Sequence, residues 1–162
     1  MERSHLPIRD AIHRELEANR TAFHTLLDGF SDAELLRPSA NSAWSIGALL
    51  HHIVASLEHL PREVRAARRG ESLVRMPRWL YDALNARLTR RRAASQTCGG
   101  LRERYDAAHR AALDALDSVR DDEWRRRLRF YYLEATVERL FLRQSEHLAE
   151  HAADILRAGD RR

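Results

Sequence analysis

The stretch VERLFLRQSEHLAEHAADILRA, Val137 to Ala158, decides how this chain is read. Val137, Leu140, Gln144, His147, His151, Asp154 and Ala158 recur at alternating intervals of three and four residues. That spacing is the inward seam of a helix packed in a bundle. Thr136, just before it, is a suitable cap. His147 and His151 fall one turn apart on the buried side, about 6 Å along the axis at 1.5 Å per residue. Two imidazoles so placed can converge on one metal ion, and they can equally hydrogen-bond to each other or to Gln144.

Upstream, the same periodicity repeats three times. A first helix is predicted from Ile8 to Phe30, with Ile12, Leu16, Phe23, Leu26 and Leu27 as its buried stripe. After a loop at Arg37-Pro38-Ser39-Ala40-Asn41-Ser42, Ser45 caps a second helix that ends at Arg69, before Gly70. Its apolar face carries Ile46, Leu49, Leu50, Ile53, Leu57, Leu60 and Val64, and Pro61 is expected to bend it. A shorter helix covers Trp79 to Arg92, and Gln96-Thr97-Cys98-Gly99-Gly100 reads as a break. A third long helix spans Leu101 to Val119, with Tyr105, Ala108, Ala112, Leu113 and Leu116 inward. Arg120 to Ala135 is polar, and Phe130-Tyr131-Tyr132-Leu133 reads as either extended or loop. The expected fold is all-α: a four-helix bundle in one domain, residues 1–162. The long link between the second and third bundle helices, with its short extra helix, lets those two run in the same direction.

Composition narrows the function. Of 162 residues, 44% are hydrophobic and 32% charged, which suits a folded globular chain rather than a disordered one. No apolar run approaches the length of a membrane span. Met1 to Glu17 is charged throughout and lacks an apolar leader core. A single cysteine, Cys98, forbids an internal disulfide, and together these features point to the cytoplasm. The net charge is +4 and every basic residue is arginine. The runs Arg90-Arg91-Arg92 and Arg125-Arg126-Arg127 lack interleaved aromatics, and acids alternate with the basic residues elsewhere, so no nucleic-acid partner is expected.

Nine histidines are many for this length, and a third ligand for a metal must come from another helix. The second helix offers His51, His52 and His59. His52 lies beside Leu49, Ser56 and Leu60 at the edge of the apolar face, while His51 points further from it. His59 is two turns on, about 10 Å away along the axis, and cannot share the ion. Position favours His52, and both His51 and His59 read as rim or surface side chains.

Trp44-Ser45-Ile46-Gly47-Ala48-Leu49-Leu50-His51-His52-Ile53 resembles the tryptophan-serine-to-histidine motif of the DinB-like superfamily. That group includes the YfiT-type metal hydrolases and the N-terminal domains of mycothiol-dependent maleylpyruvate isomerases. In the motif the ligand histidine falls eight residues after the tryptophan, here His52. His147-Leu148-Ala149-Glu150-His151-Ala152-Ala153-Asp154-Ile155 is similar to the group's closing histidine pair. Two departures are visible: Ala48 stands where a glutamate often completes a capping box, and Asp154 where glutamine is common.

The resemblance implies a divalent ion, zinc or nickel, on His52, His147 and His151, with Gln144, Asp154 and Ser56 around it. It implies a thiol-dependent S-transferase or isomerase using a low-molecular-weight thiol such as mycothiol on a small-molecule substrate. A metal-dependent hydrolase is the alternative, and a non-catalytic metal-binding or stress-related interaction module is a third reading. Cys98, in a glycine-flanked stretch with no neighbouring histidine, is not expected to be a nucleophile. Similar proteins form homodimers, and Trp79 to Arg92 is the segment expected to pair.

Overall fold

The computed structural model describes residues 6–41, 43–71, 77–93, 95–130 and 133–159. In order it forms α1 (Leu6–Asp28), a 3-10 turn (Glu34–Leu36), α2 (Ile46–Arg68), α3 (Arg78–Ala93), α4 (Cys98–Asp117), β1 (Arg127–Phe130), β2 (Leu133–Thr136) and α5 (Val137–Gly159). Met1 to His5, Ser42, Tyr131 and Tyr132, on which parts of the leader, loop and strand readings fell, lie outside the described residues.

The four long helices form the expected bundle. α4 and α5 each pack against both α1 and α2. Contacts between side chains fix the directions. His51 and Glu58 meet Arg104, and Arg68 meets Ser118, so α2 and α4 run parallel. His52 meets His147, and Ser56 meets Gln144 a turn later, so α2 and α5 run antiparallel. The parallel pair is what the long α2–α4 connection permits. Phe23, Leu49, Leu50, Leu60, Leu101, Leu116 and Phe141 are fully buried where the helices meet. Each such side chain contributes about 1.5–3 kcal/mol of burial free energy.

Capping chemistry sets where the helices begin. The Ser45 side chain accepts from Ala48 N–H at 3.1 Å, as expected from the sequence. The predicted break at Gln96 to Gly100 is corrected: Thr97 accepts from Gly100 N–H at 3.0 Å, and α4 starts at Cys98. The glycines that suggest a break occupy the first turn, where the capping hydroxyl supplies the partner. Pro61 lies inside α2 and does not end it.

Two features were not read from the sequence. The polar link closes as a hairpin, with Arg127 opposite Thr136 and Arg129 opposite Glu134. In addition, α3 lies on α2 with Thr89 and Ala93 buried, while Leu80, Leu84, Leu88 and Trp79 are exposed. No helix among the described residues is long and apolar enough to cross a membrane.

Candidate metal centre

The loop before α2 and the middle of α5 build one site. Within the loop, Ser39 N–H donates to Trp44 O, the Ser39 hydroxyl lies 2.8 Å from Trp44 O and 3.0 Å from Asn41 O, and Ile46 N–H donates to Arg37 O. Ala40 N–H reaches Asp154 O on α5, at 3.1 Å. This pins Trp44 over the start of α2, edge-on to the His52 ring at 4.8 Å and parallel to the His151 ring at 6.4 Å.

His52, His147 and His151 converge beneath it. One ligand nitrogen from each lies within 4.8 Å of the other two. His147 Nε2 is 3.0 Å from His52 Nε2 and 3.2 Å from His151 Nε2, with ring centroids 4.5–5.1 Å apart. All three side chains are partly buried. Burial, then repulsion from its neighbours, holds the His52 imidazole down to about 3 and that of His147 down to about 2. Burial lowers His151 as well, against the nearby charges of Glu150 and Asp154. Three neutral imidazoles thus face one another at neutral pH.

That arrangement fits a cation. A neutral ring nitrogen carries at most one proton, so His147 Nε2 cannot donate to both neighbours. His151 Nδ1 is buried without a hydrogen-bond partner. With the protons on the outer nitrogens, three inward lone pairs share one small space, which is the donor set a borderline divalent ion takes.

The remaining sequence-selected residues sit further out. Ser56 donates to Gln144 Oε1 at 3.2 Å, and Gln144 donates to Leu140 O at 3.4 Å, a bridge one turn from the histidines. Asp154 accepts from Arg157 at 2.9 Å, so this acid meets an arginine. His59 is exposed.

His51 is a correction. It is only 4% exposed, turned away from the cluster toward α4, where its Nδ1 lies 3.0 Å from Arg104 Nη1. Arg104 in turn grips Glu58 with two bonds of 2.8–2.9 Å and donates to Gln96. Because α4 and α5 cover adjacent faces of α2, successive histidines are each taken inward by a different neighbour.

Sequence reasoning missed two contributors. Trp44 was seen only as a motif marker, yet it walls the cluster. Arg143, one turn before His147, adds positive charge that lowers both His52 and His147. Its place one turn before His147, four residues earlier in the sequence, was the available signal. Burial and the Asp32 side chain push the Cys98 thiol up to about 11, and Sγ lies 3.4 Å from Phe30 O.

The fold and site together define a helical bundle with a three-histidine cluster between its second and last helices. Residues 15–155 match the sequence profile of the DinB superfamily, and the chain belongs to that family. No curated protein matches the sequence significantly. Among solved structures it is similar to the mycothiol-dependent maleylpyruvate isomerase, at 14% identity and a TM-score of 0.72, and to a histidine-to-alanine mutant of it at 13% and 0.72. The alignment covers 91% of this chain and 60% of the isomerase chain, so the present sequence spans well under the isomerase's full length. It is also similar to YfiT from Bacillus subtilis, described as a probable metal-dependent hydrolase with an unusual four-helix bundle topology. There the identity is 14%, the TM-score 0.76, and coverage 94% of this chain and 86% of that one. At such identities the likeness shows the shared fold.

Proposed function

We propose that the protein holds one divalent ion, zinc or nickel, on His52, His147 and His151, and that it is a metal-dependent S-transferase or isomerase acting with a low-molecular-weight thiol such as mycothiol. The observation that carries this reading is the convergence of three neutral ring nitrogens within 4.8 Å. Three protein ligands leave a position for an outside group, in the style of catalytic rather than closed structural sites. The ion supplies positive charge that makes a thiol or a water beside it a stronger acid.

The chain's own residues then do the rest. The neutral imidazoles add no charge of their own, so the ion's charge is felt in full by an incoming thiol. Trp44 shields one side of the cluster from water, and the Ser56–Gln144 pair closes the side toward the bundle interior. The thiol comes from outside, because the one cysteine of the chain, Cys98, has its thiol pushed up to about 11 by burial and Asp32. The product of the reaction is a small molecule in a cytoplasmic setting. The exposed Leu80, Leu84 and Leu88 stripe of α3 supports pairing of two chains as a homodimer.

The similarity to YfiT favours a second reading, a hydrolase using the same three histidines. Cobalt-loaded protein titrated with mycothiol separates the two. The transferase reading expects an intense sulfur-to-metal absorption band that saturates at one thiol per chain. A spectrum unmoved by thiol, on protein that has taken up cobalt, overturns it in favour of the hydrolase.

A further inference from the structure

The end of α2 opposite the histidines carries a second site. Arg68 lies sixteen residues beyond His52, about 24 Å along the helix. There Arg65, Arg68, Arg69, Arg120, Arg126 and Glu123 line a pocket of about 330 Å³.

The centre of this pocket is organised from below. The Glu123 carboxylate is only 2% exposed and holds three guanidinia: Arg68 at 2.7 Å, Arg120 at 3.2 Å and Arg126 at 3.6 Å. Arg68 also donates to Ser118 at 3.0 Å, and Arg126 donates to Arg68 O at 2.7 Å. These contacts fix the three arginines without using all their donors. Asp122 on the rim takes one bond each from Arg120 and Arg126, and Glu71 takes Arg69. Arg65 makes no ion pair among the described residues.

Part of this has a structural explanation. Cations are favourable at a helix C-terminus, which accounts for arginines in the last turn of α2. A buried carboxylate also needs a partner. Neither requirement calls for five guanidinia against three carboxylates around one concavity, counted among the described residues. The surplus of two positive charges, with pre-oriented planar donors, is the complement of a doubly charged oxyanion.

We infer that this arginine pocket at the α2–α4 end binds the phosphate group of a small phosphorylated molecule. A small ligand is favoured over a nucleic-acid backbone because the arginines ring one concavity, with Asp122 and Glu71 beside it. The inference stands independently of the metal reading, since the two sites share no residue.

Isothermal titration with inorganic phosphate at constant ionic strength tests it. Wild type is expected to bind one phosphate per chain. Arg65→Gln/Arg69→Gln, which spares all three partners of Glu123, should weaken binding about tenfold or more. Arg14→Gln/Arg87→Gln, an equal charge change at exposed positions of α1 and α3, and His147→Ala should both leave it unchanged. No binding beyond that of chloride overturns the proposal. So does an equal loss in Arg14→Gln/Arg87→Gln, which marks a general charge effect, or a loss in His147→Ala, which places the anion at the histidines. A short DNA duplex that binds without displacement by phosphate overturns it in favour of nucleic acid.

Discussion

Replacing both His52 and His147 with glutamine in the metal-free protein should remove much of its sensitivity to mild acid. In the unfolded chain both imidazoles titrate near 6.5. In the folded chain burial and mutual repulsion hold them to about 3 and about 2. The unfolded state therefore takes up protons first as the pH falls. Stability from these neutral rings is fully present above pH 6.5 and drains away as the pH drops toward the folded values. Between pH 6.5 and pH 5 each ring costs about 2 kcal/mol, at about 1.36 kcal/mol per pH unit, and the pair about 4 kcal/mol. Against a total of about 5–15 kcal/mol, that brings acid unfolding close to the working range. Urea unfolding of metal-free wild type and His52→Gln/His147→Gln, followed by circular dichroism at several pH values, measures the difference. His109 and His151, also lowered by burial, remain in both proteins, so the difference isolates the two replaced rings. Parallel stability profiles from pH 7.5 to 5 would refute the claim that the rings are held neutral by their surroundings.

Two further predictions concern the start of α2, which positions His52. Ser45→Ala removes the acceptor for Ala48 N–H and should lower stability by about 1 kcal/mol in urea. In Gly47→Ala the new Cβ meets Leu35 Cβ and Leu35 O at 3.0 Å. The backbone oxygen cannot step aside, so a crowding cost of about 1–3 kcal/mol outweighs the gain of about 1 kcal/mol in helix propensity. A raised thermal midpoint for this variant would show that the 3-10 turn yields freely.

The bundle was legible because α1, α2, α4 and α5 each announce a buried face through three-four spacing. The hairpin was not, because β1 and β2 are four residues each, too short for the alternation in Arg127-Leu128-Arg129-Phe130 and Leu133-Glu134-Ala135-Thr136 to stand out. The start of α4 was missed because Gly99 and Gly100 look like a break until Thr97 is seen to cap them. Within α2, His52 was read at the edge of the apolar face beside Leu49, Ser56 and Leu60, and its Nε2 lies 3.0 Å from His147 Nε2 on α5. His51 was misjudged since a helix in a bundle buries a wide arc, and Arg104 on α4 gives that imidazole a polar partner inside it. The arginine pocket was invisible because its members come from two stretches about fifty residues apart, joined through Glu123 and through the Arg126 bond to Arg68 O.

Metal content of untagged protein, by elemental mass spectrometry on wild type and on His52→Ala, His147→Ala and His151→Ala, tests the central claim. The account predicts about one divalent ion per wild-type chain and its loss in each variant. No stoichiometric ion after reconstitution with zinc and with nickel, or an ion that survives all three substitutions, would contradict it.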